Sequence, residues 1–176
     1  RLAELYNLGI HPVVYQLGSL GASGDLAPLA HLSLPLLGEG EVNHHGRRQP
    51  AAEALREHGL QPLQLSSKEG LALLNGTQFS GAYALWALLH GRRLWRWANA
   101  CAALSLDAFN GSYSPLHPAI HRIRPHAGQE EAAAEMRALL QGSEMGRQPK
   151  VSVQDPYAFR CAPQVHGASW TALHHA

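Results

Sequence analysis

The residues most suggestive of chemistry form a glycine-rich segment, GSLGASGDLAPLAHL, at positions 18–32. Gly18, Gly21 and Gly24 are spaced three apart, and Ser23 directly precedes the last of them. The segment could cradle a phosphate, but it has neither the GxGxxG nor the Gly-Lys-Ser/Thr pattern. It could present a nucleophilic serine, but the G-x-S-x-G spacing is not met. Taken alone, the segment favours a tight turn into a helix, where glycines are common for backbone reasons.

A fourth interpretation makes the segment itself the reactant. The amide nitrogen of Gly24 attacks the carbonyl carbon of Ala22, a five-membered ring closes and one water leaves. Ser23 then loses its hydroxyl group as a second water and becomes an exocyclic methylidene, which is an electrophile. Gly24 has no side chain to obstruct its nitrogen and tolerates a strained backbone. A helix N-terminus after the ring would stabilise the negative charge that forms when a nucleophile adds.

Four segments of the chain resemble signature motifs of the aromatic amino acid ammonia-lyases, in the order in which that family has them. They are GSLGASGDLAPLAHL at 18–32, LALLNGTQ at 71–78, RPHAGQ at 124–129 and QDPYAFRCAPQV at 154–165. The resemblance extends over about the whole chain. It implies an all-α bundle of long helices, of the ammonia-lyase and fumarase-like type, with the reactive loop at a helix N-terminus.

The resemblance also implies which residues form and support the reactive group. In that family Ala-Ser-Gly cyclises to 4-methylideneimidazol-5-one (MIO), so Ala22, Ser23 and Gly24 are the expected precursor. The matching asparagine, Asn75, is expected to hydrogen-bond near the MIO and to help its formation. Read alone, Asn75 could instead belong to a type I′ turn or to a glycosylation sequon with Thr77.

The QDPYAFR motif contributes three further candidates at spacings of three residues: Gln154, Tyr157 and Arg160. The resemblance implies that Arg160 binds the substrate carboxylate, for which a planar guanidinium is suited. It implies an acid–base or hydrogen-bonding role for Tyr157 and a positioning role for Gln154. The plain alternative is a polar loop in which Arg160 pairs with Asp155.

The family reaction is the elimination of ammonia from an L-amino acid without oxidation, in homotetramers whose active sites are shared between subunits. The segments are most similar to the bacterial histidine branch, whose product is trans-urocanate. Tyrosine or phenylalanine ammonia-lyase, or an MIO aminomutase, is the first alternative, and an inactive scaffold or binding protein is the second. The expected chemistry needs no metal and no nucleotide.

Composition agrees with an ordinary globular protein. The 176 residues are 45% hydrophobic and 15% charged, with a formal net charge of +1, so nothing indicates a nucleic acid or membrane partner. Two cysteines without a CxxC pair favour reduced thiols and a cytoplasmic location. Because both ends interrupt helical patterns, residues 1–176 are expected to be the central portion of a single, longer catalytic domain.

Apolar spacing and turn residues predict a mostly helical chain. Asp25 is expected to cap its own helix over 26–37, and a surface hairpin is expected over 41–50. The segment at 151–167, with two prolines and no helical period, is expected to be an ordered loop. Further helices are predicted over 51–59, 81–111 and 130–143, and a last helix is expected to begin near 167.

Histidine is frequent, with twelve residues, but the positions are scattered. His117 and His121 have a metal-like spacing of four, yet Pro118 lies between them, so structural roles are expected. The adjacent pairs are expected to be solvated: His44 with His45, and His174 with His175. Tryptophans are expected in the core or at subunit contacts: Trp86, Trp95 and Trp97.

Overall fold

In the computed structural model, which describes residues 1–176, the chain divides into two units, Arg1–Ala84 and Leu85–Ala176. Helices dominate both units, which confirms the predicted all-α class. Strands occur only in one small sheet of the first unit.

The first unit combines short helices with that sheet. Its elements are α1 (Leu2–Asn7), β1 (His11–Pro12), α2 (Leu26–Ser33), a 3-10 helix (Leu34–Leu37), β2 (Glu41–His44), β3 (Arg47–Pro50), α3 (Ala51–Glu57) and α4 (Glu69–Leu74). The next helix, α5 (Gln78–Ala108), begins in this unit and runs on into the second.

The predicted helix over 26–37 changes character part of the way along. The α-helical turns end at Ser33, and a 3-10 helix continues to Leu37. Pro35 explains the change, because proline has no N–H to donate to an α-helical hydrogen bond. Gly38 then ends the element in the left-handed conformation, with φ of 76°.

The sheet has the antiparallel order β1-β2-β3, and the predicted hairpin over 41–50 is confirmed. His44 of β2 pairs with Arg47 of β3, so the turn between the strands contains only His45 and Gly46. Both turn residues have positive φ, 49° and 74°, as a type I′ turn requires.

Strand β2 alternates strictly between exposed and buried positions. Val42 therefore enters the core of the first unit, and His44, two residues later, lies on the same buried face with 2% of its surface exposed. The prediction that His44 is solvated was wrong, because the strand period overrides its polarity, whereas His45 is exposed as predicted. The core of this unit consists of Leu5, Ile10, Leu36, Val42, Ala51, Ala54 and Leu55.

The second unit is a helical bundle. After α5 it contains a 3-10 helix (Ser114–Leu116), α6 (Pro118–Ile123), α7 (Ala127–Leu139), a 3-10 helix (Met145–Arg147), α8 (Tyr157–Arg160) and α9 (Ala162–His175). Its apolar core is formed by Ala103, Leu106, Leu116, Met136, Leu140 and Ala162.

The prediction of an ordered loop over 151–167 was wrong for its second half, which forms α8 and the start of α9. The loop was predicted because the segment contains two prolines. Pro156 is the N-cap residue of α8, and Pro163 lies in the first turn of α9. In both positions the missing N–H has no helical partner to lose, so proline starts a helix here instead of preventing one.

Helices α7 and α9 pack closely against each other at two glycines. A Cβ atom at Gly128 would lie 2.3 Å from the Gly167 carbonyl oxygen, and one at Gly167 would lie 2.4 Å from the Gln129 backbone. Gly91 plays a similar part in α5, since its Cβ would meet Leu173 of α9 at 2.8 Å. The backbone contact at Gly128 accounts for the glycine of the RPHAGQ motif. At Gly91 the facing atom is the end of the Leu173 side chain, and α5 continues through this glycine.

A buried polar network joins the same three helices. Asn99 of α5 donates to the Glu135 carboxylate of α7 at 2.6 Å, and its Oδ1 lies 2.7 Å from His166 Nδ1 of α9. Trp95 donates its indole N–H to the His166 carbonyl at 2.8 Å, which confirms Trp95 as a core residue. Burial lowers the pKa of His166, so its ring is held neutral as a donor to Asn99.

His117 and His121 have the structural roles that were predicted. His117 caps α6 by accepting the Ala119 N–H at 3.2 Å. His121 is buried and its Nδ1 lies 2.9 Å from the Gln129 amide nitrogen. Burial is the main reason that the pKa of His121 is lowered, and the nearby charge of Arg137 lowers it further. The neutral ring is therefore favoured.

We expect Gly167→Ala to destabilise the full-length protein, by about 1–3 kcal/mol, because the added methyl group overpacks the α7–α9 crossing. Denaturant unfolding would measure the loss as a lower midpoint. Gly81→Ala is the matched control, since its Cβ has no heavy atom within 4 Å and helical alanine is favoured over glycine. An unchanged midpoint for Gly167→Ala would contradict the close crossing.

Candidate active site

The Ala22-Ser23-Gly24 tripeptide lies in a turn that leads directly into α2. Ala22 and Ser23 are exposed, and Gly24 is partly buried. Gly18 and Gly24 have positive φ, 99° and 95°, a conformation that side chains disfavour. The tripeptide therefore presents its serine on the surface of the first unit while its glycine anchors the turn.

Gly24 packs against the backbone of the Asn75-Gly76 turn. A Cβ atom at Gly24 would lie 2.6 Å from the Gly76 carbonyl oxygen, a distance that real Cβ atoms do not reach. The amide of the next residue, Asp25, donates to that same oxygen at 2.8 Å. Two of the predicted motifs, at 18–32 and 71–78, are therefore joined through backbone atoms.

Asn75 ends α4, and its side-chain amide donates to the Leu71 carbonyl at 2.9 Å. Its φ of −87° excludes a type I′ turn over Asn75-Gly76, because that turn needs positive φ at both residues. Asn75 is exposed and directly precedes Gly76, which contacts the loop. The fold thus places Asn75 next to the residue that contacts the Ala22-Ser23-Gly24 turn, with its own side chain bonded within α4, and its role in ring formation stays a prediction.

Asp25 caps a different helix from the one expected. Helix α2 has no side-chain cap, and Asp25 instead accepts two hydrogen bonds at the start of α5, from the Ser80 N–H at 2.8 Å and the Ser80 hydroxyl at 2.6 Å. The Ser80 hydroxyl bond is the main reason that the pKa of Asp25 is lowered. Sequence reasoning missed Ser80, because a capping pair between distant segments leaves no local pattern.

The second group of candidates, in the second unit, surrounds Arg160. The guanidinium carbon of Arg160 lies 4.1 Å from the centre of the Tyr157 ring, a cation–π contact. Arg160 and Gln154 both line a cavity of about 320 Å³. The structure therefore places Gln154 and Arg160 at one opening, and it places Tyr157 against Arg160 but not in the lining of that cavity.

The Arg160 guanidinium is not fully hydrogen-bonded. Its Nε atom is buried and has no hydrogen-bond partner. The alternative partner, Asp155, is engaged elsewhere, since its carboxylate accepts the Ser112 N–H at 2.6 Å. An unsatisfied buried guanidinium N–H is costly unless a ligand completes it, so this arrangement suits a carboxylate ligand.

Comparison with known proteins decides what family these two groups of residues belong to. The family model described as aromatic amino acid lyase matches residues 1–176. The chain belongs to the aromatic amino acid lyase family. The resemblance inferred from four short motifs is therefore confirmed over the whole chain.

Curated relatives in this family include histidine ammonia-lyases. The chain is 49% identical over 174 residues to the enzyme of a Geobacillus species, and 50% identical over 177 residues to that of Desulfotalea psychrophila. These alignments cover 98% and 99% of this chain, but 34% and 35% of the relatives. The chain thus spans about a third of the length of the curated relatives it matches.

Solved structures of the family share the fold. Histidine ammonia-lyase from Trypanosoma cruzi is 40% identical, with a TM-score of 0.82 over 98% of this chain and 31% of that chain. The ergothioneine-degrading enzyme from Treponema denticola is 31% identical, with a TM-score of 0.92 over 97% of this chain and 34% of that chain. Tyrosine aminomutase from Streptomyces globisporus is 41% identical, with a TM-score of 0.81 over 98% and 36%.

None of the helices, including the 31-residue α5, combines the length and the apolar character that a membrane span requires.

We expect Asp25→Asn to lower the thermal unfolding midpoint of the full-length protein at pH 7, because an amide is a weaker acceptor for Ser80. The pKa of Asp25 is lowered in the folded state, so its stabilisation is present above the ordinary aspartate pKa and is lost as pH falls through the folded value. The difference in thermal unfolding midpoint between wild type and Asp25→Asn should therefore become smaller below about pH 4. A gap that stays constant down to pH 3 would contradict the charged cap.

Proposed function

We propose that the full-length protein containing this chain is a histidine ammonia-lyase, which converts L-histidine to trans-urocanate and ammonia without oxidation, the first step of histidine degradation. The observation that carries the reaction class is the Ala22-Ser23-Gly24 turn held against Gly76. The choice of histidine is supported by curated histidine ammonia-lyases at 49% and 50% identity. We further propose that residues 1–176 are the central portion of its single catalytic domain.

The residues present fit the MIO group. Gly24 leaves its nitrogen unobstructed and cannot be replaced by a larger residue beside the Gly76 oxygen. Ser23 is exposed, so its hydroxyl can leave as water and the resulting carbon can meet a substrate. When formed, the MIO supplies an electrophilic carbon for the substrate amino group.

The chain's own side chains then bind and orient the amino acid. Arg160 binds the substrate carboxylate through two parallel N–H donors, and the Tyr157 ring holds the guanidinium through the cation–π contact. The Tyr157 hydroxyl holds or moves a proton at the reacting amine, and Gln154 fixes polar groups at the cavity rim. Asn75 assists ring formation next to Gly76.

We propose that the active sites form between subunits of a homotetramer. Helix α5 supports this assembly, because apolar side chains along its length are exposed, among them Trp86 at 62% and Trp97 at 69%. Large exposed apolar surfaces of this type are usually buried against other subunits or other parts of the same protein.

A cytoplasmic location agrees with the two free cysteines, Cys101 and Cys161.

The tyrosine aminomutase that is 41% identical makes an aromatic substrate the specific alternative. Supplying the full-length protein with L-histidine, L-tyrosine and L-phenylalanine in turn, and following the absorbance of each conjugated acid, separates the two. Urocanate from histidine alone is the expected result. Coumarate or cinnamate would move the function to an aromatic ammonia-lyase, and an isomeric β-amino acid found by chromatography of the same reactions would move it to an aminomutase. No product of either kind from any of the three amino acids would overturn the enzyme proposal.

We expect replacement of Arg160 to weaken substrate binding. A hydrogen bond to a charged group contributes about 1.5–3 kcal/mol, so Arg160→Gln should lower kcat/KM by about 10–150-fold. Arg160→Lys keeps the charge but loses the bidentate geometry, so an intermediate loss carried by KM is expected. Arg147→Lys, at an exposed arginine of the same unit, is the control. Equal KM values for all three variants would contradict the proposal that Arg160 binds the substrate carboxylate.

A further inference from the structure

Three histidines outside the predicted reaction machinery form a cluster in the first unit. One ring nitrogen of each of His44, His45 and His58 lies within 4.8 Å of the corresponding atoms of the other two. The Nε2 atoms of His44 and His58 are 3.0 Å apart. The rings of His44 and His45 are also close, with centroids 3.8 Å apart. We call His44, His45 and His58 the histidine cluster.

The local fold fixes all three positions. His44 ends strand β2 on its buried face, and His45 is the first residue of the two-residue turn to β3. His58 is the C-cap residue of α3, which begins directly after β3. Because the chain connecting them is short and ordered, little entropy is lost in bringing the three rings to one ion.

The surroundings of His44 orient it as a ligand. Its Nδ1 atom lies 3.3 Å from the Gly9 carbonyl oxygen, which can only accept a hydrogen bond. This contact favours the tautomer with hydrogen on Nδ1 and a free lone pair on Nε2, the atom that faces His58. Backbone carbonyls have this role behind many metal-binding histidines.

A carboxylate lies next to the histidine cluster. Glu57 Oε2 lies 3.9 Å from His44 Nε2, and the other oxygen, Oε1, is 3.5 Å from the Gln49 amide nitrogen. Glu57 is the last residue of α3, so it precedes His58 directly. The three imidazoles provide three donors, and zinc sites with three protein ligands take water or another ligand in the fourth tetrahedral position.

We propose that the histidine cluster binds one divalent transition-metal ion of the zinc class. Zinc–nitrogen bonds of about 2.0–2.1 Å place neighbouring tetrahedral donors about 3.3 Å apart, close to the 3.0 Å between His44 and His58. Imidazole ligands favour such ions over calcium or magnesium, which prefer oxygen ligands. The bound ion would tie the β2–β3 hairpin to the end of α3, and it has no part in the proposed lyase reaction.

The test uses the full-length protein without an affinity tag, stripped with a chelator and dialysed against Zn²⁺. Bound zinc per chain and the thermal unfolding midpoint are measured for wild type, His45→Asn and His58→Gln. Loss of outer-shell groups alone costs about 10–100-fold in metal affinity, so loss of a ligand should weaken zinc binding at least tenfold. Wild type should bind one more zinc ion than either variant, and zinc should raise its unfolding midpoint.

His45→Asn separates a ligand from a structural residue. Asparagine followed by glycine is the preferred sequence for a type I′ turn, so the metal-free variant should be at least as stable as metal-free wild type. The exposed pair His174 and His175 gives the matched control, His174→Asn/His175→Asn, which should bind as much zinc as wild type. Equal zinc content in wild type, His45→Asn and His58→Gln would overturn the proposal, as would the absence of any zinc-dependent rise in the wild-type midpoint.

Discussion

The close approach of Gly24 to the Gly76 carbonyl is the constraint on which the proposed chemistry depends. Ring closure needs a nitrogen that nothing obstructs. Only glycine fits at position 24, because an added Cβ would lie 2.6 Å from that oxygen and the φ is 95°. The same oxygen accepts the Asp25 amide. One carbonyl thus holds the end of the reactive tripeptide and the first residue beyond it.

Asp25 extends this anchoring to the longest helix of the chain. Its buried carboxylate caps α5 through Ser80, while its backbone is held by Gly76. The turn that precedes α2 is therefore fixed to α4 and α5 within the first unit. A rigid backbone suits a group formed from the chain itself, because the reacting atoms must be held together before any ring exists.

Sequence predicted the features that local patterns encode. The hairpin over 41–50 followed from its turn residues, Trp95 from its apolar environment, and the family from motifs such as QDPYAFR. Contacts between distant segments were not predictable, so Ser80 as the partner of Asp25 and Gly167 as the partner of Gly128 were missed. His44 was mispredicted as solvated, because its position on the buried face of β2 outweighs its polarity. The helices after Pro156 were mispredicted as a loop, because proline is compatible with the start of a helix.

Among the candidate residues, Asn75 directly precedes the Gly76 that contacts the reactive turn, Tyr157 packs on Arg160, and Gln154 lines the same cavity as Arg160, whose Nε has no hydrogen-bond partner. The central claim is that Ala22-Ser23-Gly24 becomes a ring, and the mass of the Ser23-containing peptide of the full-length protein tests it most directly. We predict a mass lower than the sequence value by two water molecules, and the unmodified sequence mass for the peptide of Ser23→Ala. An unmodified wild-type peptide would contradict the account and leave the glycine-rich segment as a turn into α2.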